Sequence, residues 1–231
     1  MKTLTTSSLS STPRTRERTS EFLCGIRDEL PILVGTVPFG LIYGVSAVGA
    51  HIPAAMAQAM SSVIFAGSAQ FVTAQLVGAG LPALVIIVTG VIVNLRHLLY
   101  SASIAPYTRH LNRFWKVVLA YLLTDEAYAV AITHYRAGDA IASDAPGDPA
   151  SVHPHRHWYF LGAGLALWTS WQASTAVGVF LGANVPKSWS LDFTLPLTFI
   201  ALVVPTLKDR PGVAAALAAG LMAILAAPLP L

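Results

Sequence analysis

The feature that most limits the possible folds is a long stretch without charge. No Asp, Glu, Lys or Arg occurs from Leu30 to Leu95. A membrane-spanning helix needs about 20 apolar residues, so this stretch alone is long enough for about three. Further uncharged runs extend from His157 to Pro186 and from Pro211 to Leu231. A soluble surface needs charged side chains at much shorter intervals, so we expect the chain to lie in a lipid bilayer.

Composition and charge support this interpretation. Hydrophobic residues make up 55% of the chain and charged residues 11%, with a formal net charge of +3. The basic residues lie in the tail and the connections, which favours membrane orientation over nucleic-acid binding, so no nucleic-acid partner is expected. Cys24 is the single cysteine, which excludes an intramolecular disulfide and a thiolate metal site.

Proline, glycine and charge divide the chain into about seven apolar segments, which predicts an all-α, polytopic membrane protein. Residues 1–24 are expected to form a disordered cytoplasmic tail, with an organellar transit peptide as the less favoured alternative. The transmembrane domain is expected over 25–231, with an acidic, solvated loop at 136–157. The segments are Leu30–Ala50, Pro53–Val77, Pro82–Ala105, Trp115–Tyr135, Trp158–Ala183, Phe193–Leu207 and Val213–Leu229.

The distribution of Lys and Arg predicts a cytoplasmic N-terminus, since positive charge is retained inside. With seven complete spans, however, a basic cluster formed by Arg109, Arg113 and Lys116 would lie outside. This cluster would move inside if the second segment were re-entrant. The second and fifth segments each carry a glutamine, Gln70 and Gln172, after an aromatic residue, which suggests an inverted 3+3 repeat followed by a terminal helix.

Ionisable residues near the middle of two segments are the strongest indication of a functional site. The third segment contains Asn94, Arg96 and His97, and the fourth contains Asp125 and Glu126. Their matched depth and opposite charge predict that Arg96 or His97 pairs with one of the carboxylates. The cluster offers a cation and an anion to a zwitterion, and a carboxylate there is suited to proton coupling. The alternative is that the pair only holds the helices together.

The second segment contains the run Phe65-Ala-Gly-Ser-Ala-Gln-Phe71. Gly67 and Ser68 lie mid-segment, where glycine weakens a helix, so we expect an interruption there. Free N–H groups at the start of a half-helix would suit a carboxylate, and Gln70 adds a donor and an acceptor. Close helix packing through small residues is the alternative.

Other motifs carry less information. His153, His155 and His157 have the composition of a weak metal site, but a solvated loop is favoured, and neither a metal nor a cofactor is expected. An intramembrane enzyme using Ser68 and His97, or a haem subunit, is a minor alternative, as is a passive channel or assembly subunit. We therefore do not expect an enzyme.

Four stretches together resemble AzlC-type branched-chain amino acid permeases. They are Pro38-Phe-Gly40 with Gly44, residues 65–71, Asn94-Leu-Arg-His-Leu-Leu-Tyr100 with Ala105-Pro106, and Leu122-Leu-Thr-Asp-Glu-Ala-Tyr-Ala129. The resemblance extends from about Gly25 to Leu207. It implies export of valine, leucine, isoleucine or their analogues across a bacterial inner membrane. It also implies a small AzlD-type membrane partner.

Overall fold

A computed structural model describes residues 13–142, 155–184 and 210–226. Every regular element in these ranges is a helix, as expected. Residues up to Val185 form one compact unit, and those from Pro186 onward form a second unit in which one helix is described. The helices are α1 Pro13–Gly49, α2 Ala54–Ile64, α3 Gly67–Gly78, α4 Ala83–Asn94, α5 Arg96–Thr108, α6 Arg113–Tyr121, α7 Asp125–Ala142, α8 Arg156–Asn184 and, in the second unit, α9 Arg210–Ala226.

The first helix begins earlier than expected. Residues 13–24 belong to α1, which corrects the expectation of a disordered tail up to residue 24. The extension is held by packing, because Phe22 contacts Gly162 and the Glu21 carboxylate lies 3.2 Å from His134. Residues 1–12 lie outside the described part. The solvated loop was predicted at 136–157, but α7 remains helical up to Ala142, so the first residues of the predicted loop are helix.

The two longest helices, α1 and α8, pack closely and run parallel. A Cβ atom added to Gly25 would overlap the Tyr159 carbonyl, and one added to Gly44 would overlap the backbone of Val179. Contact positions therefore advance together along both helices, and glycine permits their backbones to touch. We call the end of the unit where α1 begins the N-side and the opposite end the C-side.

The second predicted segment is a hairpin, because α2 and α3 both connect to the C-side. In the first turn of α2, the Ala57 carbonyl accepts a hydrogen bond from Tyr43 Oη at 3.1 Å. The chain reverses at Phe65 and Ala66, and α3 returns until Gly78 lies beside Ala50, at the end of α1. The segment therefore reaches only to mid-depth.

The fourth predicted segment is a second hairpin, entering from the N-side. At the start of α6, the ring centroid of Trp115 lies 5.0 Å from that of Trp158, at the start of α8. At the end of α6, Tyr121 Oη accepts a hydrogen bond from Trp168 Nε1, farther along α8. This half of the hairpin thus advances along α8 towards the middle of the unit.

The other half of this hairpin, α7, returns to the N-side. His134 stacks on Tyr159 with ring centroids 3.7 Å apart, and Tyr135 Oη donates to the Arg156 carbonyl. Both contacts are at the start of α8. The reversal between α6 and α7 spans residues 122–124.

Between the hairpins, α4 and α5 form one nearly continuous span from the C-side to the N-side. Leu95, at their junction, keeps helical dihedral angles (φ −57°, ψ −26°). The ring centroid of Tyr107, near the end of α5, lies 4.9 Å from that of Tyr135 on the N-side. By length and composition, residues 16–49 and 83–108 are the two described helices apolar enough to cross a membrane.

In the described residues, the second and fourth predicted segments are therefore each two helices joined by a reversal, which for the second segment corresponds to the re-entrant alternative. A hairpin followed by a long helical segment occurs twice in opposite directions, as α2–α3 with α4–α5, and as α6–α7 with α8. This order differs from the expected 3+3 repeat, in which the broken second segment would match the continuous α8. The predicted segment Phe193–Leu207 lies outside the described residues.

Candidate transport site

The tips of the two hairpins meet at mid-depth around a narrow cavity. Rings at the tips lie close together, with Phe65 and Tyr121 centroids 6.0 Å apart, and Tyr121 Oη donates to the Ser62 carbonyl. Six of the eight residues predicted to form the site line the cavity: Gly67, Ser68, Arg96, His97, Asp125 and Glu126.

The predicted interruption near Gly67 and Ser68 is confirmed. Phe65 adopts a left-handed conformation (φ 38°, ψ 50°) and Ala66 is extended, so α3 starts anew at Gly67. The first α-type hydrogen bond at this start runs from Gln70 N to Ala66 O at 2.9 Å. The N–H groups of the preceding residues have no intrahelical acceptor, so α3 presents amide donors at the cavity.

Glycine at position 67 leaves room for the cavity. A Cβ atom there would lie 3.0 Å from the Trp171 ring and 3.4 Å from the Phe39 ring. The backbone dihedral angles of Gly67 are not restricted to glycine, so a side chain is disfavoured there because it would approach these two rings.

The second tip presents acidic residues. Thr124 caps α7, since its Oγ1 accepts from Ala127 N at 3.3 Å. Asp125 and Glu126 occupy the first turn of that helix, where the helix dipole favours negative charge.

Arg96 on the span connects both tips. Its Nη1 lies 2.5 Å from Asp125 Oδ2, and its Nη2 donates to Ser68 Oγ at 2.9 Å. The predicted ion pair between the third and fourth segments is therefore confirmed. Arg96 Nε and Asp125 Oδ1 are buried and have no hydrogen-bond partner within the described residues. The pair thus retains one donor and one acceptor for another molecule.

Two predicted residues lie away from the cavity lining. Gln70 is fully buried behind it and accepts from Trp171 Nε1 at 3.1 Å. Asn94 lies along an apolar groove between α3 and α4. The backbone carbonyl oxygen of Asn94 is 3.1 Å from His97 Nδ1. Because Ser68 accepts from Arg96 and His97 contacts Asn94, this geometry does not favour a Ser68–His97 nucleophilic pair.

The remaining walls were largely missed by sequence analysis. Phe39 and Trp171, with centroids 6.0 Å apart, face the cavity together with Thr36, Phe65 and Leu167. Phe71, at the other end of the run 65–71, packs against Phe39 with ring centroids 4.4 Å apart. The resemblance to the family included Phe39, whereas Trp171 had no signal beyond its place beside Gln172.

Gln172 fastens the first hairpin to α8. Its Oε1 accepts from Gln58 Nε2 at 2.8 Å and from Ser62 Oγ at 2.9 Å, and its Nε2 donates to the Ser61 carbonyl. The Ser61 and Thr175 hydroxyls are 3.1 Å apart. This polar network fixes α2, while α3 contacts the same helix through Trp171.

The cavity is narrow in this conformation, with about 40 Å³ available to water-sized molecules. That space holds a few waters but not an amino acid, so a ligand of that size requires the hairpins or aromatic walls to move. Within the described residues, no group of three His, Cys, Asp or Glu side chains is placed to hold a metal ion. His153 of the histidine motif lies outside this part.

Comparisons with known proteins agree on the family. Residues 31–185 match the family described as AzlC protein. Inner membrane protein YgaZ of Escherichia coli (strain K12) is 24% identical over 210 residues, covering 87% of this chain and 79% of that protein. Branched-chain amino acid transport protein AzlC of Bacillus subtilis (strain 168) is 29% identical over 177 residues, which cover 76% of this chain and 63% of that protein.

An uncharacterized membrane protein of Archaeoglobus fulgidus is 28% identical over 211 residues, covering 90% of this chain and 85% of that protein. No solved structure matches. The residues matched by the family make up more than half of the chain and include both hairpin tips. The chain is therefore a membrane protein of the AzlC family.

Proposed function

We propose that this protein transports branched-chain amino acids, binding each as a zwitterion between the two hairpin tips. The observation that carries the proposal is the meeting of Arg96, Asp125 and the start of α3 at one buried cavity. The relative from Bacillus subtilis supports the same substrate class, since its name describes branched-chain amino acid transport.

The substrate carboxylate binds at the start of α3. Free amide donors there and the positive end of the helix dipole stabilise an anion without a full charge. Arg96 adds a cation, and its Nε has no partner among the described residues. Ser68 orients the guanidinium by accepting from Nη2.

The substrate ammonium binds on the opposite tip. Asp125 Oδ1 is available as an acceptor within the described part, and Glu126 lines the same cavity. Phe39, Leu167 and Trp171 provide an apolar surface for the branched side chain. Burial of each methylene group there contributes about 0.8 kcal/mol.

The two hairpins enter from opposite sides, which supports alternating access. Displacement of the α2–α3 tip opens the cavity towards the C-side, and displacement of the α6–α7 tip opens it towards the N-side. Asp125 and Glu126 couple transport to protons by changing protonation between these states, and net movement is export.

Orientation follows from charge. With two hairpins, the cluster Arg109, Arg113 and Lys116 lies on the N-side, with the basic residues at the start of α1. The C-side connections 50–53 and 79–82 contain no Lys or Arg. The positive-inside rule therefore makes the N-side cytoplasmic in a bacterial inner membrane. A small AzlD-type subunit completes the transporter.

Flux measurements in proteoliposomes test this function. Labelled valine, leucine, isoleucine and methionine are loaded, with and without a proton gradient and with and without the small partner. Labelled lysine and protein-free liposomes serve as controls. We expect protein-dependent valine, leucine and isoleucine flux and no lysine flux. Equal flux in protein-free liposomes would contradict the proposal.

A further inference from the structure

A buried carboxyl group lies outside the cavity and has no role in the substrate site. Glu29 is on α1, two helical turns towards the N-side from Thr36, which lines the cavity. Its exposed fraction is 0%, and neither carboxyl oxygen has a hydrogen-bond partner within the described residues. An isolated carboxylate is costly to bury, so this environment favours the neutral acid.

The groups that face Glu29 are acidic or neutral. Glu126, on α7, is near enough for its charge to act on Glu29. On α8, Tyr159 donates its hydroxyl at 2.7 Å to the carboxylate of Asp28, the residue that precedes Glu29. No basic side chain in the described ranges forms an ion pair with Glu29. Glu126 also lines the substrate cavity, so the charge of a second carboxyl group couples Glu29 to that cavity.

We infer that Glu29 is a proton-binding site of the transport cycle, located between the substrate cavity and the N-side. The inference rests on the proposed transport function and extends its proton coupling to a residue that does not touch substrate. When the α6–α7 tip moves and admits N-side water, the Glu29 carboxyl releases its proton to that water. The resulting Glu29 carboxylate then takes a proton from the Glu126 carboxyl as the tip closes, so one proton passes from the cavity to the N-side in each cycle.

A proton fits this place better than a metal cation. A cation needs several oxygen ligands around it, and no such group of three acidic or histidine side chains occurs in the described part. The proton requires only the Glu29 carboxyl itself.

The test compares two activities of the full-length chain in proteoliposomes. Counterflow of labelled against unlabelled valine needs no net proton movement, whereas accumulation driven by a pH gradient does. We expect Glu29→Gln, which mimics the protonated acid, to retain counterflow within about twofold and lose gradient-driven accumulation by at least about tenfold. Asp28→Asn, at the adjacent exposed position, is the matched control and should behave like the unaltered protein.

Three results would overturn the inference while leaving transport intact. They are normal gradient-driven accumulation in Glu29→Gln, loss of counterflow in a folded Glu29→Gln protein, and accumulation driven by sodium instead of protons. If the unaltered protein moves no valine, the proposed function itself fails. Infrared difference spectra then test Glu29 separately. We expect the unaltered protein to show a protonated-carboxyl band that Glu29→Gln lacks. An unaltered protein without such a band would contradict the inference.

Discussion

At the scale of single residues, Arg96 connects the two hairpin tips. It bonds to Ser68 on one hairpin and Asp125 on the other. We expect Arg96→Gln to reduce valine flux about a hundredfold, because it removes the substrate's cation partner and leaves Asp125 unpaired. Flux in proteoliposomes at equal protein content measures the effect.

Arg113→Gln is the control for this substitution, since Arg113 is exposed at the start of α6. It removes the same charge but should keep normal flux. Equal flux in both variants would contradict the assignment of Arg96 to the substrate site.

Gly67 is the second residue with a testable requirement. Gly67→Leu should abolish valine transport, because its side chain would collide with Trp171 and Phe39 across the cavity. Gly35→Leu makes the same substitution in α1, where an added Cβ meets nothing within 4 Å. Membrane abundance and valine flux are measured for both. Normal flux in Gly67→Leu at normal abundance would indicate that the glycine serves only packing.

The acidic and basic residues of the site were predictable because charge in an apolar segment has few stable places other than a shared interior. The depth of a residue along a segment can be read directly from the sequence, and Arg96 and Asp125 match in depth. The direction in which a side chain faces cannot be read in this way. Asn94 and Gln70 are at suitable depths, but tertiary packing turns them away from the cavity lining.

At the scale of elements, the strained reversal at Phe65 shapes the first hairpin tip. A left-handed conformation is costly for any residue with a Cβ atom. Phe65→Gly and Phe65→Ala both lose the ring, so their difference isolates the backbone. We expect the glycine variant to be more stable by about 1 kcal/mol, measured by unfolding in detergent. A more stable alanine variant would show that the left-handed turn is not kept.

The interruption in the second segment was predictable from its adjacent small residues, whereas the return of α3 to the C-side was not. Each half-helix is as apolar as part of a full span, so composition does not separate a crossing from a hairpin. The decisive contacts, such as Gly78 beside Ala50, join residues far apart in sequence. The basic cluster at 109–116 was the one sequence feature that opposed seven complete spans.

At the scale of the whole unit, the two hairpins change the predicted topology. Lys116 and Glu17 lie on the same side in this fold, whereas seven complete spans would separate them. Single cysteines at Glu17, Leu81 and Lys116, in a Cys24→Ser background, are labelled with an impermeant maleimide in intact cells. We expect Leu81→Cys to react and the other two to react only after lysis. Reaction of Lys116→Cys in intact cells, with Glu17→Cys protected, would restore the seven-span arrangement.

The central claim is that both charges of an amino acid are recognised between the hairpin tips. The most direct measurement is binding of labelled valine to the purified protein in competition with valinamide, which lacks the carboxylate, and isovalerate, which lacks the ammonium. We expect unlabelled valine and leucine to compete, and each analogue to be weaker by at least about a hundredfold, because it leaves a buried charged group unpaired. Competition by either analogue at the strength of valine would contradict the claim.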